Sequence, residues 1–177
     1  MMKKIFLSIV IATLVFSCSQ KQKGAPATLN EDGDLVGIAN REHFLQEPFY
    51  DWYEFGYEDY SLNNETISKL KPLINNVTIK AFMGTWCGDS QEQIPVFYKV
   101  LEATDFNMKN LELIAVNQDK ITPDSLQKGF NIERVPTFIF YKNDKEIGRF
   151  VEYPRETVEE DMLKIISEEP YKHSYQE

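Results

Sequence analysis

One cysteine lies in a segment whose residue types and spacing could support chemistry, Trp86-Cys87-Gly88-Asp89-Ser90. Residues 77–83 are rich in β-branched and aromatic side chains, as strands are, and residues 91–101 carry apolar side chains at helical spacing. We therefore expect Cys87 where a strand leads into a helix. Free amides and the dipole at a helix N-terminus stabilise negative charge, so the position favours a thiolate, the nucleophilic form of cysteine.

The elements that must position this cysteine continue along the chain. A strand is predicted at residues 111–116, a helical piece at 123–130, and a hairpin formed by 137–141 and 146–151 around a turn at 142–145. Apolar residues at helical spacing predict a final helix ending near Ile166. This order of elements predicts an α/β fold in which helices flank a mixed central sheet.

Four sequence features together resemble the thioredoxin family. They are Trp86-Cys87-Gly88, Pro95 eight residues after the cysteine, Val135-Pro136-Thr137, and the order of elements. The resemblance covers residues from about Val77 to Ile166 and implies a thioredoxin-like fold. It defines a core at residues 77–168, followed by a tail at residues 169–177.

The resemblance also implies roles for individual residues. In the family, the proline matched by Pro136 is cis and lies beside the reactive sulfur, and the residue before it offers its backbone to an extended substrate segment. That role would pass to Val135 here. Cys87 and Ser90 are then the candidate catalytic residues. The candidate substrate groove comprises Trp86, Gly88, Asp89, Val135 and Pro136.

The chain departs from the family at the positions that complete the redox chemistry. Ser90 stands where the family has its second, resolving cysteine, so no internal disulfide can form there, although the serine hydroxyl could donate a hydrogen bond to a thiolate. A buried acid and a lysine of the family correspond to Ala81 and Ala115. A mixed disulfide on Cys87 would therefore need an external thiol to resolve it.

The composition excludes several classes of function. The net charge of −9 disfavours binding to nucleic acid, because an acidic surface repels phosphates. With two histidines and two cysteines, no tetrahedral metal site and no cofactor are expected. His43 and His173 are expected to be ordinary packing or surface residues rather than catalytic bases.

The first residues resemble a bacterial export signal that ends at a lipidated cysteine. Lys3 and Lys4 precede an apolar run, and Val15-Phe16-Ser17-Cys18 resembles a lipobox. We therefore expect a lipoprotein signal peptide over residues 1–18, lipid attachment at Cys18, and a flexible polar tether over 19–34. The expected location is the cell envelope, on the outer membrane facing the periplasm. The expected partners are exported proteins that contain cysteine, or a redox partner that supplies the resolving thiol.

The segment between tether and core is unusually aromatic. Residues 35–76 are predicted to form an N-terminal extension that packs on the core, and residues 44–60 hold eight aromatic side chains. Phe49, Trp52 and Tyr53 at helical spacing favour packing against the core. The alternative is a surface for an extended peptide or another apolar partner.

Two functions follow from these residues. The first is thiol–disulfide exchange, as isomerase or reductase, through mixed disulfides on Cys87. The second is a redox-inactive binding or chaperone-like module that keeps the fold and retains Cys87 as a relic. Retention of Trp86, Cys87 and Pro136 together favours the first, whereas Ser90 and the aromatic extension favour the second.

Overall fold

Side chains along the central strand β3 (Thr78–Met83) alternate between two faces of a sheet. In the computed structural model, which describes residues 24–176, Ile79 and Met83 pack in the larger of two core clusters. Phe82 packs in the smaller cluster on the opposite face. Both faces of β3 are therefore buried, as its nearly continuous apolar sequence requires.

The sheet of the described residues has six strands in the order β1-β2-β4-β3-β5-β6. Strands β3 and β4 are parallel and all other neighbours are antiparallel, so the predicted mixed sheet is confirmed. Besides β3, the strands are β1 (Thr28–Leu29), β2 (Leu35–Ala39), β4 (Leu111–Ala115), β5 (Thr137–Lys142) and β6 (Lys145–Val151).

Five helices accompany the sheet in the described part of the chain. They are α1 (Arg41–Phe44), α2 (Tyr50–Asp59), α3 (Asn64–Ile74), α4 (Gly88–Ala103) and α5 (Val158–Ile166), with a short 3-10 turn at Met108–Asn110. Each helix places an apolar side chain in the larger core cluster, namely Phe44, Tyr53, Leu70, Phe97 and Met162. None of these helices is long and apolar enough to cross a membrane.

The predicted tether is wrong for residues 24–34. The amide of Ala27 donates to the carbonyl of Ile38 at 2.8 Å, and Thr28 and Leu29 pair with Val36 and Leu35 at the edge of the sheet. Asn30 closes the connecting turn, because its side-chain oxygen accepts two backbone amides. The polar composition predicted a tether, but Asn and Gly are also the residues that form tight turns between strands. Cys18, the signal peptide and residues 19–23 lie outside the described residues.

The predicted helical piece at residues 123–130 is a series of turns. Thr122 Oγ1 accepts the amide of Leu126 at 2.9 Å, and Ser125 adopts a positive φ of 54°. Hydroxyl side chains that bond nearby backbone groups compete with the hydrogen bonds of a continuous helix. Gly129 also departs from helical backbone, with φ 88°. Leu126 nevertheless packs in the smaller core cluster, so these turns cover the face opposite the helices.

The N-terminal extension packs on the core through its aromatic side chains. Phe49 and Tyr53 are buried, and Trp52 packs against the same cluster. Arg41 and Tyr57 both bind the carboxylate of Glu102 on α4, at 2.7 and 2.6 Å. Burial and this hydrogen bond raise the pKa of Tyr57 to about 12. The packing interpretation therefore holds for this part of the extension.

Candidate active site

Cys87 lies between strand β3 and helix α4. It is the N-cap residue of α4, with extended dihedral angles of φ −95° and ψ 123°, and its carbonyl accepts the first helical bond from Gln91 at 3.0 Å. Its amide donates to the carbonyl of Gly84 at 3.0 Å, which closes the turn after the strand. The sulfur is thereby held at the positive end of a 16-residue helix.

The sulfur contacts the second motif of the site. Cys87 Sγ donates to the carbonyl oxygen of Val135 at 3.2 Å, and the Val135–Pro136 peptide bond is cis, as the resemblance implies. Cys87 is partly exposed and is a free cysteine, whereas Val135 is buried. The structure therefore brings together two segments that lie 48 residues apart in the sequence.

Trp86 forms one wall of the site and is held from two sides. Its indole Nε1 donates to the carbonyl of Val116 at 2.9 Å. A Cβ on Gly84 would lie 2.5 Å from Cε2 and Nε1 of the ring, closer than any real contact. The position of Trp86 therefore requires glycine at residue 84, which was not predicted from the sequence.

Ser90 is placed at the site but its observed contact differs from the predicted one. The side chain is fully buried, and Oγ accepts the amide of Gly84 at 3.2 Å. The described residues show no hydrogen bond between Ser90 and Cys87. In this structure the serine joins the first turn of α4 to the end of β3, and its role toward a thiolate stays a prediction.

Gly88 and Asp89 occupy the first turn of α4. Gly88 is exposed, and a Cβ there would meet no atom within 4 Å. Asp89 is half-buried and is the acidic residue of that turn. A carboxylate at this position stabilises the helix dipole but repels a thiolate nearby.

Thr85 and Gln91, two residues that the sequence did not indicate, support the loop before the cysteine. Thr85 Oγ1 accepts the amide of Leu35 at 3.0 Å, and the Thr85 carbonyl accepts the side-chain amide of Gln91 at 2.7 Å. Asp34, next to Leu35, has a buried Oδ2 without a hydrogen-bond partner in the described structure. These contacts fix the loop to strand β2, which lies outside the predicted core.

An apolar groove of about 610 Å³ lies beside the first turn of α4. We call it the α2–α4 groove. Its apolar wall consists of Trp52, Phe55, Val96, Tyr153, Pro154 and Val158. The segment after β6 carries Tyr153 and is bonded to the loop that contains Pro136. The amide of Glu152 donates to the Pro136 carbonyl at 2.7 Å.

Neither histidine is placed near the sulfur by any described contact. His43 contacts Asn40 at the start of α1, with Nδ1 2.8 Å from Asn40 Oδ1. Burial, with Arg149 and Arg155 nearby, lowers the pKa of His173 in the C-terminal tail. No cluster of three or more His, Cys, Asp or Glu side chains suited to a metal ion occurs in residues 24–176.

The fold and this site define a thioredoxin-type protein. The sequence profile described as Thioredoxin matches residues 51–166, more than half of the chain, so the chain belongs to the thioredoxin family. The match begins within α2, before the predicted start of the core at Val77.

Individual relatives are distant. Thioredoxin Y, chloroplastic, from Oryza sativa subsp. japonica is 33% identical over 69 residues. The matched region covers 39% of this chain and 38% of that protein. Thioredoxin H-type 1 from Nicotiana tabacum is 25% identical over 138 residues, covering 78% of this chain and 89% of that protein. A solved protein of unknown function from Pseudomonas aeruginosa has a TM-score of 0.51 at 17% identity, over 67% of this chain and 83% of that one, which supports the fold alone.

Proposed function

We propose that this chain is a monothiol thiol–disulfide exchange protein in which Cys87 forms mixed disulfides with partner proteins. The observation that carries the proposal is the free, partly exposed Cys87 sulfur at the N-terminus of α4, in contact with Val135 of the cis-proline loop. A cysteine kept only for packing needs neither solvent access nor an electropositive helix end.

The proposed reaction balances without an internal second thiol. The Cys87 thiolate attacks one sulfur of a partner disulfide; the new Cys87–partner bond forms, the partner's own S–S bond breaks, and its other sulfur leaves as a thiolate. If a second thiol of the partner attacks the mixed disulfide, the partner is isomerised with no net redox change. If two external thiols attack in turn, the partner is reduced and those thiols become a disulfide.

The groove residues have distinct roles in this proposal. The Val135 carbonyl is positioned to accept an amide of an extended partner segment once the thiol proton is gone. Trp86 and Pro136 shape the surface on which that segment lies. Gly88 leaves the approach to the sulfur open, and Asp89 adds negative charge beside it. Ser90 holds α4 against β3 through Gly84.

The partners and location are part of the same proposal. A lipid on Cys18 would anchor the chain to the cell envelope, on the outer membrane facing the periplasm, where exported proteins carry disulfides. The partners are then exported proteins that contain cysteine, and the resolving thiol comes from such a protein or from a separate redox partner. No cofactor, metal or nucleic acid takes part.

The test is a trapping experiment in which Cys87 is the single thiol. The chain carries Cys18→Ser, and it is mixed with a neutral dipyridyl disulfide and, separately, with a disulfide-bonded peptide. Stoichiometric release of thiopyridone and a peptide adduct on Cys87, both absent after Cys87→Ser, would support the proposal. A folded chain whose Cys87 reacts no faster than a free cysteine at the same pH would favour the redox-inactive binding module instead.

A further inference from the structure

The α2–α4 groove exposes apolar side chains that the core does not use. Phe55 is 72% exposed although it lies on α2, whose opposite face carries the buried Tyr53. Tyr153, on the facing wall, is 46% exposed. Burying such side chains against a ligand is favourable by about 25 cal/mol per Å² of apolar surface. Exposed aromatic walls facing one another across a groove are typical of a binding site.

Two walls of the groove are connected by backbone hydrogen bonds to Cys87 and Pro136. Gln91 lines the groove, and its backbone amide donates to the Cys87 carbonyl in the first turn of α4. Tyr153 and Pro154 line the facing wall and follow Glu152, which is bonded to Pro136. A partner segment in contact with Cys87 and Val135 can therefore extend directly into the groove.

The rim of the groove is acidic. Asp59, Glu92 and Glu156 line it, and no Lys or Arg does so among the described residues. Asp59 and Glu92 are exposed, whereas Glu156 is paired with Lys164 at 2.7 Å. The nearest cation in sequence, Arg155, donates instead to the carbonyls of the C-terminal tail. The charge of the groove is thus complementary to a cationic side chain.

We propose that the α2–α4 groove binds the segment that flanks the reactive cysteine of a partner protein, and that it selects segments with a large apolar residue next to a lysine or arginine. The apolar side chain lies between Phe55 and Tyr153, and the cation lies against Asp59 and Glu92. This inference rests on the proposed exchange function and adds a substrate preference to it.

The test compares two peptides with the same activated disulfide, one with Phe-Lys and one with Ser-Glu three or four residues from the cysteine. Both are reacted with the chain carrying Cys18→Ser. We expect the Phe-Lys peptide to react about tenfold faster, the factor given by about 1.4 kcal/mol of differential binding. The advantage should shrink at 1 M salt, where the screening length falls to about 3 Å.

Matched variants connect the preference to the groove. Phe55→Ser and Glu92→Lys should each remove most of the Phe-Lys advantage. Met108→Ser, which changes an exposed apolar side chain beside the far end of β4, and Glu169→Lys, which changes an exposed acid beyond the C-terminus of α5, should leave it intact. Circular dichroism and urea unfolding of each variant check that the fold is kept.

The outcomes separate this inference from the proposed function. The dipyridyl disulfide carries neither a cation nor a peptide segment, so its reaction does not depend on the proposed preference and its loss would overturn exchange by Cys87 itself. Normal reaction with that reagent but equal rates for both peptides would overturn the groove preference alone. Dimers that form at high protein concentration and dissociate in Phe55→Ser would show that a second copy of the chain covers the groove. That result would also overturn the groove preference.

Discussion

The sulfur of Cys87 lies 3.2 Å from the carbonyl oxygen of Val135, and the thiol donates its hydrogen to that oxygen. A thiolate has no hydrogen to donate, so ionisation of Cys87 frees the Val135 carbonyl at the moment the sulfur becomes nucleophilic. In the proposed exchange reaction, the attacking sulfur and the acceptor for a partner amide would therefore become available together. This contact would connect the proposed chemical step to backbone recognition of the partner.

N-methylation of the partner peptide tests this connection. If one peptide amide donates to Val135, methylating that nitrogen should slow exchange about two- to tenfold, the range expected for one hydrogen bond. Methylating the next amide along the peptide should have little effect, because successive amides of an extended strand point to opposite sides. Rate constants for a series methylated at each position in turn make the measurement. Equal rates at every position would contradict the role of Val135.

Gly84 and Gly88 form a matched pair for testing how Trp86 is positioned. Gly84→Ala places a Cβ 2.5 Å from the indole ring and should displace it, at a cost of about 1–3 kcal/mol in the free energy of unfolding. Gly88→Ala has open space around its Cβ and should leave stability nearly unchanged. Urea unfolding reports the stability, and a change in tryptophan fluorescence that occurs in Gly84→Ala but not in Gly88→Ala reports the displacement of Trp86, since Trp52 is common to both variants. A Gly84→Ala protein as stable as Gly88→Ala would show that the ring moves aside without cost.

Much of the site could be predicted because it depends on local sequence. The alternating and β-branched residues of β3, followed by the helical spacing after Cys87, were sufficient to place the sulfur at a strand-to-helix junction. The cis peptide at Pro136 followed from the resemblance to the family. These features are set by residues close together in the chain or by a motif.

The groove could not be predicted, because its walls come from distant segments. Residues of α2, α4 and the loop after β6 meet only in the folded chain. Gly56 allows the close contact of α2 with α4, since a Cβ there would lie 3.0 Å from Pro95. The aromatic segment was recognised as unusual, but its sequence could not show that Tyr53 faces inward while Phe55 faces the groove.

Ser90→Cys tests what the missing second thiol changes. Ser90 lies in the first turn of α4, three residues after Cys87, and a cysteine there would place two thiols at one helix N-terminus. We expect the variant to release trapped peptide without external thiol and to gain an internal disulfide, which mass spectrometry detects as the loss of two hydrogens. Ser90→Ala is the control: it removes the bond to Gly84 but adds no thiol, and its mixed disulfide should persist. Persistence of the adduct in Ser90→Cys would mean that the two positions cannot bond.

Asp161 lies near the groove, and its carboxyl makes the stability of the folded protein depend on pH. Its carboxylate accepts the amide of Arg155 at 2.7 Å and the hydroxyl of Tyr171 at 2.9 Å, which fixes the loop that carries Glu156. Burial raises the pKa of Asp161 above its ordinary value of 3.8 despite these bonds. The folded protein therefore holds this proton to higher pH than the unfolded chain does. The contribution of Asp161 to stability is full below pH 3.8 and declines as the pH rises through the folded pKa.

Urea unfolding of wild type and Asp161→Asn between pH 3.5 and about pH 6 measures that contribution. As the pH rises, wild type should lose stability relative to the variant, because asparagine does not titrate. Glu168→Gln is a comparison of opposite sign: the hydrogen bond from Lys142 lowers the pKa of the exposed Glu168, so its small contribution is lost as the pH falls. Parallel pH profiles for wild type and Asp161→Asn would contradict the raised pKa. Since Asp161 holds the loop behind Glu156, a change in peptide preference that follows the same pH profile would connect this carboxyl to the groove.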